Sequence, residues 1–339
     1  MRSNDAHLAS MRRFVGSLIA LFLISLLSPP RCLAAEPMLL KVWGTAGSGP
    51  GQFNLPFCLT LGSDHNLYVS DTYNHRIQVF SPEGVFIREW GTFGSADGQL
   101  GYPYDLAFGP SGDLYVVNNS FLAGNSARVD VFSAGGAFLR NWGSYGFSDG
   151  QFTAPWGIAV DSQEHLFITD RGLERIDEFQ GDGTFVKRWG TEGGGPTQFF
   201  GPFDICIGAL GYLYVCDGIA RVQVFATDST FITEWGSPGT GTGQFRGPAG
   251  ITADLDGNLY ITDQQNHRVQ VFTSNGDLLN EWGTQGTDNG QFEQPHGIAV
   301  DESGNIYVAD TVNNRVQKFG PAVTPVAKSS WGQLKARFK

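Results

Sequence analysis

The sequence predicts an all-β fold, a six-bladed β-propeller made of four-stranded antiparallel blades. Two repeats in a common register predict it, because Trp-Gly recurs six times at intervals of about 47 residues and Gly-Gln-Phe, or a variant of it, recurs with the same spacing. A unit of this length cannot bury both faces of its own sheet, so several units are expected to stack around an axis. The tryptophans of the first repeat are Trp43, Trp90, Trp142, Trp189, Trp235 and Trp282.

The fifth unit shows how the strands of a blade can be read from the sequence. Residues 250–253, 258–263, 267–272 and 277–282 are short runs rich in β-branched and aromatic residues, and Gly, Asn and Asp separate them. Runs and turns of this kind are typical of strands joined in consecutive hairpins. Each unit is therefore expected to form one four-stranded sheet.

The two ends of the repeat region predict how the ring closes. The sixth unit has three strand-like runs, the last of which ends at Phe319, and it has no good fourth run. Residues 38–44 match the fourth strand of the other units. We therefore expect this N-terminal strand to complete the last blade, within a propeller domain that covers residues 36–320.

The first residues are predicted to be a leader. Arginines precede an apolar run over residues 14–27, and small residues follow it up to Ala35. This order is typical of a secretory signal peptide, and the run is short for a membrane span. We predict a signal peptide over residues 1–34, a secreted or periplasmic protein, and no membrane span in the remainder. An uncleaved anchor is the alternative.

A basic tail, residues 321–339, follows the propeller. Ser329 and Ser330 could cap a short helix there. Two roles are open for the tail, and docking on the propeller is favoured over tethering to an acidic partner or a cell surface.

The charge of the chain bears on the choice of partner. The formal net charge is -11, and removal of residues 1–34 would make it about -14, because that segment carries a net charge of +3. Nucleic-acid affinity comes largely from basic side chains that displace counterions. The sequence therefore argues against a nucleic acid as the partner. We expect a monomer that binds a protein, a peptide or a glycan.

Three cysteines follow the leader, Cys58, Cys206 and Cys216. An odd number excludes a complete disulfide framework. Cys206 and Cys216 fall on adjacent predicted strands, so either a bridge between them or two separate thiols fits the sequence.

Several segments resemble the NHL repeat. They are Asn-His-Arg-Ile-Gln-Val-Phe at residues 74–80, Asn-His-Arg-Val-Gln-Val-Phe at 266–272, and Gln-Pro-His-Gly-Ile-Ala-Val-Asp at 294–301. The resemblance covers about residues 38–320 and implies a β-propeller. It implies little about activity, because one fold hosts many functions.

An Asp at the end of the second strand and an Arg at the start of the third recur in most units. Because an Arg fork can hold a carboxylate and loop carbonyls together, we interpret these residues as architecture. The pairs are Asp71 with Arg76, Asp170 with Arg175, Asp217 with Arg221, Asp263 with Arg268, and Asp310 with Arg315, while the second unit has Asn118 and Arg128.

Positions that differ between units are better candidates for binding. The residue after each repeated proline should start the innermost strand near the axis, and most of these residues are aromatic, which suits a sugar, a peptide or an aromatic ligand. Packing of the channel mouth is the alternative. The residues are Phe57, Tyr104, Trp156, Phe203, Ala249 and His296.

Two further features are candidate contact sites. The position after the axial residue is Asp105 or Asp204 in two units. With His296, these carboxylates are candidates for an axial cation, and the alternative is that they cap loop amides. No cofactor is predicted. The second unit has an insertion whose Phe121 and Leu122 could contact a partner at the rim. A tolerated insertion without a role is the alternative.

The predicted function is a non-catalytic binding scaffold whose loop face holds a protein, a peptide or a glycan. The alternative is a metal-dependent lyase or hydrolase with an axial site near His296. Among proteins with similar repeats, peptidyl-α-hydroxyglycine α-amidating lyase holds zinc with axial histidines. Only His296 has the axial register here, so the resemblance does not carry that metal site over.

Overall fold

The computed structural model describes residues 35–120 and 126–322. The predicted signal peptide, the rim residues Phe121 and Leu122, and the tail beyond residue 322 lie outside the described residues.

Six four-stranded antiparallel sheets are arranged as the blades of a propeller, which confirms the predicted fold. Strand β1 (Leu39–Trp43) precedes the first blade, which comprises β2 (Pro56–Leu61), β3 (Leu67–Asp71), β4 (Arg76–Phe80) and β5 (Phe86–Trp90). The second blade comprises β6 (Tyr102–Phe108), β7 (Asp113–Ser120), β8 (Ser126–Ser133) and β9 (Phe138–Trp142). The third comprises β10 (Pro155–Val160), β11 (His165–Asp170), β12 (Arg175–Gln180) and β13 (Phe185–Trp189).

The remaining blades follow the same plan after a short parallel pair, β14 (Thr191–Glu192) and β15 (Gln198–Phe199). The fourth blade comprises β16 (Pro202–Ile207), β17 (Leu213–Asp217), β18 (Arg221–Phe225) and β19 (Phe231–Trp235). The fifth comprises β20 (Pro248–Ala253), β21 (Leu259–Asp263), β22 (Arg268–Phe272) and β23 (Leu278–Trp282). The sixth begins with β24 (Pro295–Val300), β25 (Ile306–Asp310) and β26 (Arg315–Phe319). Two 3-10 turns, η1 (Thr72–Asn74) and η2 (Gln264–Asn266), follow β3 and β21.

The N-terminal strand closes the ring as predicted. Strand β1 pairs antiparallel with β26, so that Leu39 lies opposite Phe319 and Trp43 lies opposite Val316. The last sheet therefore has the order β1-β26-β25-β24. Strand β1 thereby covers the edge of β26 that would otherwise be unpaired, and it becomes the outer strand of the last blade.

The two repeats build the contacts between blades. Trp43 lies 6.2 Å from Phe80 of the first blade and 6.4 Å from Tyr307 of the sixth, measured between ring centroids. Gly84 has φ +76° and sits against Trp43, whose ring would be 2.6 Å from an added Cβ. A side chain would therefore clash there. Phe53, from the Gly-Gln-Phe repeat, is fully buried against Phe80.

The recurring arginines hold the loops of their blades together. Nε of Arg76 donates to Asp71 at 2.7 Å, and its terminal nitrogens donate to the carbonyl oxygens of residues 48, 49 and 52 at 2.8 to 3.0 Å. Similar forks are made by Arg221, Arg268 and Arg315.

The third blade departs from the pairing that the sequence predicted. Arg175 binds Asp177, with Nε donating at 2.8 Å, and not Asp170. Alternate residues of a strand share a face, so Asp177 lies beside Arg175 on β12. Asp170 instead accepts the backbone N–H groups of Thr153 and Ala154 at 2.8 and 3.0 Å.

In the second blade, too, the arginine binds an aspartate two residues further along its own strand. Nε of Arg128 donates to Asp130 on the same strand at 3.0 Å, and the amide of Asn118 donates to that carboxylate at 2.6 Å. The carboxylate has thus moved from the second strand to the third in this blade.

The propeller has two distinct faces. We call the loop face the side formed by the loops between the second and third strands, such as residues 72–75, and by the loops between blades, such as 91–101. The turn face is the opposite side, formed by hairpin turns such as residues 62–66 and 81–85. Throughout the described ranges, no helix has the length and apolar character needed to cross a membrane.

Candidate functional site

The residues that follow the repeated prolines meet at the axis on the loop face. In the first blade the register between β2 and β3 shifts between Pro56 and Leu59, and a bulge of this kind re-aims the side chains between the paired positions. The other blades have the same shift. We call the rings gathered there the aromatic layer, which consists of Phe57, Tyr104, Trp156, Phe203 and His296. Ala249, the sixth residue of the set, is buried beside them.

The rings of the aromatic layer pack against one another. Tyr104 and Trp156 are stacked, with centroids 4.2 Å apart and planes at 20°. Phe57 lies 4.5 Å from His296, and Trp156 meets Phe203 edge-on at 5.9 Å. The layer thus fills the loop-face end of the axis, while its four aromatic side chains other than His296 stay half-buried and keep exposed surface. Ligand binding by these residues stays a prediction.

Arg171 covers one side of the aromatic layer. Its guanidinium carbon lies 4.0 Å from the ring centroid of Phe203 and 4.5 Å from that of Trp156, so the cation is attracted by the faces of both rings. Its Nε is buried and has no hydrogen-bond partner within the described residues. Burial lowers the pKa of Arg171, yet a guanidinium stays charged at physiological pH.

His296 is the most enclosed ring of the layer, with only 5% of its surface exposed. Burial, and secondarily the positive charge of Arg171, lowers its pKa to about 3. The imidazole is therefore neutral at physiological pH and belongs to the packed layer.

A second layer of polar side chains lies beneath the rings. Asp105 accepts the N–H of the next residue of its own strand and that of Ile158 in the third blade, both at 2.7 Å. Asp204 does the same with its own strand and with Ile251 in the fifth blade, both at 2.8 Å. Each carboxyl group therefore joins two neighbouring blades.

These carboxyl groups are protonated more readily than exposed ones. Burial raises the pKa of Asp105. Burial, and then the nearby Asp105, raises the pKa of Asp204. The Cys58 thiol donates to Asp105, with its sulfur 2.6 Å from a carboxyl oxygen, and burial raises its own pKa. The layer is a hydrogen-bonded part of the interior.

The candidate metal ligands do not form a cluster. Asp105 and Asp204 lie in the polar layer and accept backbone N–H groups, whereas His296 lies in the aromatic layer. Over residues 35–120 and 126–322, no group of three or more His, Cys, Asp or Glu side chains is placed to hold a metal ion.

The axis widens beyond the polar layer. Only about 10 Å³ of free space separates the two layers, whereas a cavity of about 250 Å³ lies between the later residues of the innermost strands, including Leu61, Val160 and Ile207. Cys206 lines this cavity. It lies opposite Tyr214 in the sheet. The three described cysteines are free thiols, which decides between the two alternatives that the sequence left open for Cys206 and Cys216.

The loop face also carries the exposed aromatic side chains of the described ranges. Each lies in a loop between blades or between the second and third strands of a blade. Their exposed fractions range from 43% to 68%. They are Tyr73, Phe93, Tyr145, Phe147 and Phe200. The exposed large side chains in the hairpin turns, such as Val85, Leu210 and Leu255, are aliphatic.

Sequence reasoning missed Arg171, because the axial candidates were taken only from the two positions that follow each repeated proline. The sequence does contain a signal, since the residue that follows the equivalent of Asp170 is uncharged in the other five units. Those residues are Thr72, Asn119, Gly218, Gln264 and Thr311. A unique cation in a repeated position indicates a role that the architecture does not require.

Comparison with known proteins supports the repeat assignment. The NHL repeat model matches residues 53–80, 245–272 and 292–319. The E3 ubiquitin-protein ligase TRIM32 of Mus musculus is 47% identical over 47 residues, which are 14% of this chain and 7% of that protein. NHL repeat-containing protein 3 of Homo sapiens is 41% identical over 51 residues, 15% of each chain. The chain thus matches only a small part of these relatives.

Solved structures share the fold over most of the chain. A catalytically inactive virginiamycin B lyase from Staphylococcus aureus, solved with quinupristin, has a TM-score of 0.57 at 19% identity, covering 84% of this chain and 98% of that one. An auxiliary nutrient binding protein from Bacteroides ovatus has a TM-score of 0.62 at 18% identity, covering 84% and 77%. A Bacteroides thetaiotaomicron protein of unknown function has a TM-score of 0.64 at 17% identity, covering 82% and 75%. At these identities the likeness shows the fold alone.

Proposed function

Because the chain is a six-bladed β-propeller with NHL repeats, we propose that it is a non-catalytic scaffold that binds a protein, a peptide or a glycan on its loop face around the axis. The aromatic layer forms the centre of the proposed surface. Phe121 and Leu122 of the second blade, which lie outside the described residues, would belong to its rim.

The distribution of exposed aromatic side chains carries this proposal. The exposed aromatic residues of the described ranges lie on the loop face, around an axis that is itself filled by half-buried rings. Aromatic residues contribute large contact areas and are enriched at binding surfaces. Apolar surface that is concentrated on one face of a protein is a feature of interaction sites.

The names of the structural neighbours are compatible with this role. Two proteins of the same fold, from Bacteroides ovatus and Bacteroides thetaiotaomicron, are described as auxiliary nutrient binding proteins. We propose the same general class of activity, ligand capture by a rigid propeller. We further propose that the chain is secreted, on the basis of the predicted leader, which mass spectrometry of the N-terminus of the protein from its host would test.

A metal-dependent lyase is the second candidate, because a lyase from Staphylococcus aureus has a similar fold. A catalytic zinc site needs three protein ligands and one open position. In the described part of the chain the acceptor oxygens of Asp105 and Asp204 are engaged by backbone N–H groups. Metal analysis of the purified protein tests this candidate. Stoichiometric zinc that is lost in His296→Ala would favour it over the scaffold.

Affinity capture with defined variants tests the scaffold. The purified protein would be used to capture partners from the medium or periplasm of its host, in parallel with Trp156→Ala and Tyr104→Ala. Leu255→Ala is the matched control, because Leu255 is 78% exposed on the turn face. We expect both aromatic variants to retain less than a fifth of the captured partner, since removal of a central anchor costs about 2 kcal/mol or more.

The folded state of each variant must be checked, because Trp156 packs within the aromatic layer. Circular dichroism and a thermal melt supply that control. Equal capture by all four folded proteins would overturn the proposal.

A further inference from the structure

Two arginines line one cavity without forming an ion pair with a described carboxylate. Nine arginines in the described ranges form an ion pair with Asp or Glu. Arg171 and Arg246 form neither an ion pair nor a side-chain hydrogen bond with any described residue. Both line a cavity of about 480 Å³ on the loop face, at the interface between the fourth and fifth blades. Glu174 acts on Arg171 only from beyond ion-pair distance. Acidic residues outnumber basic ones in this chain, 33 to 22, so two arginines outside ion pairs in one cavity call for an explanation.

The cavity lies beside a shortened loop. In most blades four residues separate the Asp that ends the second strand from the Arg that starts the third, as between Asp263 and Arg268. In the fourth blade only residues 218–220 separate Asp217 from Arg221. The shortened loop ends at Ala220, which has φ 70°.

In the third, fifth and sixth blades, the residue at the end of this loop forms a hydrogen bond to the next blade. In these blades it has a left-handed backbone, with φ 52° at Glu174, 55° at His267 and 54° at Asn314. From that position its side chain accepts a backbone N–H from the segment that leads into the next blade. Glu174 accepts the N–H of Gly201, Asn314 that of Leu55 at 2.8 Å, and His267 that of Gln294 at 3.2 Å.

The interface between the fourth and fifth blades, which we call the seam, lacks this hydrogen bond. Ala220 has no polar side chain to offer, and the equivalent N–H, that of Gly247, has no hydrogen-bond partner in the described part of the chain. Gly247 lines the cavity together with the two arginines. A backbone N–H and two guanidinium groups form a donor set suited to a carboxylate.

The remaining walls of the cavity are apolar. Phe200 is 45% exposed, and Phe203, Ile219 and Pro238 contribute further apolar surface. Ligand sites of this size typically combine such walls with a few polar groups that fix the orientation of the ligand. The cavity therefore favours an anion that carries an apolar group over a small hydrated anion.

We propose that this seam binds a carboxylate attached to an apolar group, the chemistry shared by the C-terminal residue of a peptide and a free aromatic acid. The ligand carboxylate takes the place at this seam that the Glu174 carboxylate takes one blade earlier. It accepts the N–H of Gly247 and pairs with Arg246 and Arg171, while the apolar group lies on Phe200. The inference rests on the proposed function, because it specifies a ligand for the loop face.

Isothermal titration of the purified protein with N-acetyl-phenylalanine tests the seam site. N-acetyl-phenylalaninamide is the matched probe, because it keeps the ring and loses only the charge. We expect the acid to bind at least tenfold more tightly than the amide, a difference of about 1.4 kcal/mol, because charge-assisted hydrogen bonds are about twice as strong as neutral ones. Equal affinity for the two probes, or no binding of the acid, would overturn the proposal.

Two variants and one control variant test where the acid binds. Ala220→Glu places a carboxylate where Glu174 has one, so it should fill the site from within and reduce acid affinity at least tenfold. Ala220→Gln is the control of equal size without charge and should bind the acid more tightly than Ala220→Glu does. Arg246→Ala removes an exposed side chain that makes no side-chain hydrogen bond within the described ranges. It should reduce the affinity for N-acetyl-phenylalanine at least fivefold. Wild-type affinity in Ala220→Glu would contradict the site.

A third comparison separates the two sources of the ligand and the two proposals. A tetrapeptide ending in phenylalanine with a free carboxylate indicates a peptide C-terminus if it binds more tightly than N-acetyl-phenylalanine, and a free acid if it binds more weakly. If Trp156→Ala loses partner capture and Ala220→Glu keeps it, the loop-face function stands, and the proposal that the partner is anchored in the cavity between the fourth and fifth blades is overturned. If both variants capture the partner as well as the wild type does, the loop-face function and the carboxylate site are both overturned.

Discussion

Asp105 accepts the backbone N–H of Ile158 at 2.7 Å, so that a side chain of the second blade completes a hydrogen bond from the backbone of the third. Asp204 makes the same connection from the fourth blade to Ile251 of the fifth. In the third and fifth blades, whose backbone N–H groups bind these carboxyl groups, the position that corresponds to Asp105 and Asp204 is glycine, Gly157 and Gly250. An added Cβ on Gly157 would lie 2.8 Å from the Cα of Asp204. The innermost strands therefore pack closely around the axis because a carboxyl group on one strand lies beside a glycine on the next.

Replacing this carboxyl group should destabilise the ring. Asp105→Ala leaves the buried N–H of Ile158 without its acceptor and removes the partner of the Cys58 thiol, so we expect a loss of about 2–4 kcal/mol in the free energy of unfolding. Urea denaturation measures it. Asp105→Asn keeps one acceptor oxygen and should lose less. An unchanged free energy in Asp105→Ala would show that the inter-blade hydrogen bond contributes nothing.

The arginine forks offer a comparison between buried and exposed pairs. Arg268 donates to Asp263 and to carbonyl oxygens of its loop, and lysine cannot reproduce that planar fork. We expect Arg268→Lys to lower the midpoint of urea unfolding by an amount equivalent to about 2–3 kcal/mol. Arg188→Lys, in an ion pair whose side chains are 41% and 62% exposed, should change stability by about 0.5 kcal/mol or less. Similar losses in the two variants would refute this ranking.

The blade joint closed by β1 can be tested through one side chain. Trp43 is 9% exposed and contacts rings of both adjoining blades, so Trp43→Ala should cost about 3–5 kcal/mol. Met38→Ala, just before β1 and 71% exposed, should have little effect. A thermal melt compares the two. If Trp43→Ala melted with the wild type, β1 would not be an integral part of the last blade.

The neutral state of His296 predicts a pH effect of definite sign. Its pKa is lowered to about 3 in the folded protein, against about 6.5 when unfolded. Its contribution to stability is therefore complete above pH 6.5 and is lost as the pH falls towards 3. His296→Phe should gain about 3 kcal/mol relative to the wild type between pH 7.5 and pH 4.5.

Urea unfolding at several pH values measures the difference between the two proteins, which isolates this histidine from the buried carboxyl groups. Tyr104→Phe is the control, because it alters the same layer and leaves every histidine in place. A constant difference between His296→Phe and the wild type across this range would mean that His296 titrates normally.

The architecture was readable from the sequence because it depends on what recurs. The spacing of Trp43 and its counterparts fixed the number of blades, and residues 38–44 matched the strand that the last unit lacked. The carboxylate partner of Arg175 was not readable in this way, because Asp170 and Asp177 both lie within reach of a third-strand arginine in sequence. Only the strand geometry shows that Asp177 lies beside Arg175.

The site was predictable in position but not in arrangement. The register placed Phe57 and Trp156 at the axis, yet the stacking of Tyr104 on Trp156 depends on rotamers chosen in a crowded channel. The seam cavity left a trace in the sequence, the missing residue between Asp217 and Arg221. Its meaning required the structure, because the shortened loop matters only beside Gly247.

Hydrogen–deuterium exchange of the protein, alone and with its captured partner, tests the central claim that the loop face around the axis is the binding surface. The account predicts slower exchange in the segments that lead into the innermost strands, residues 54–56, 101–104, 153–156 and 200–203. Protection confined to the hairpin turns at residues 62–66 and 81–85 would place the partner on the turn face and contradict it.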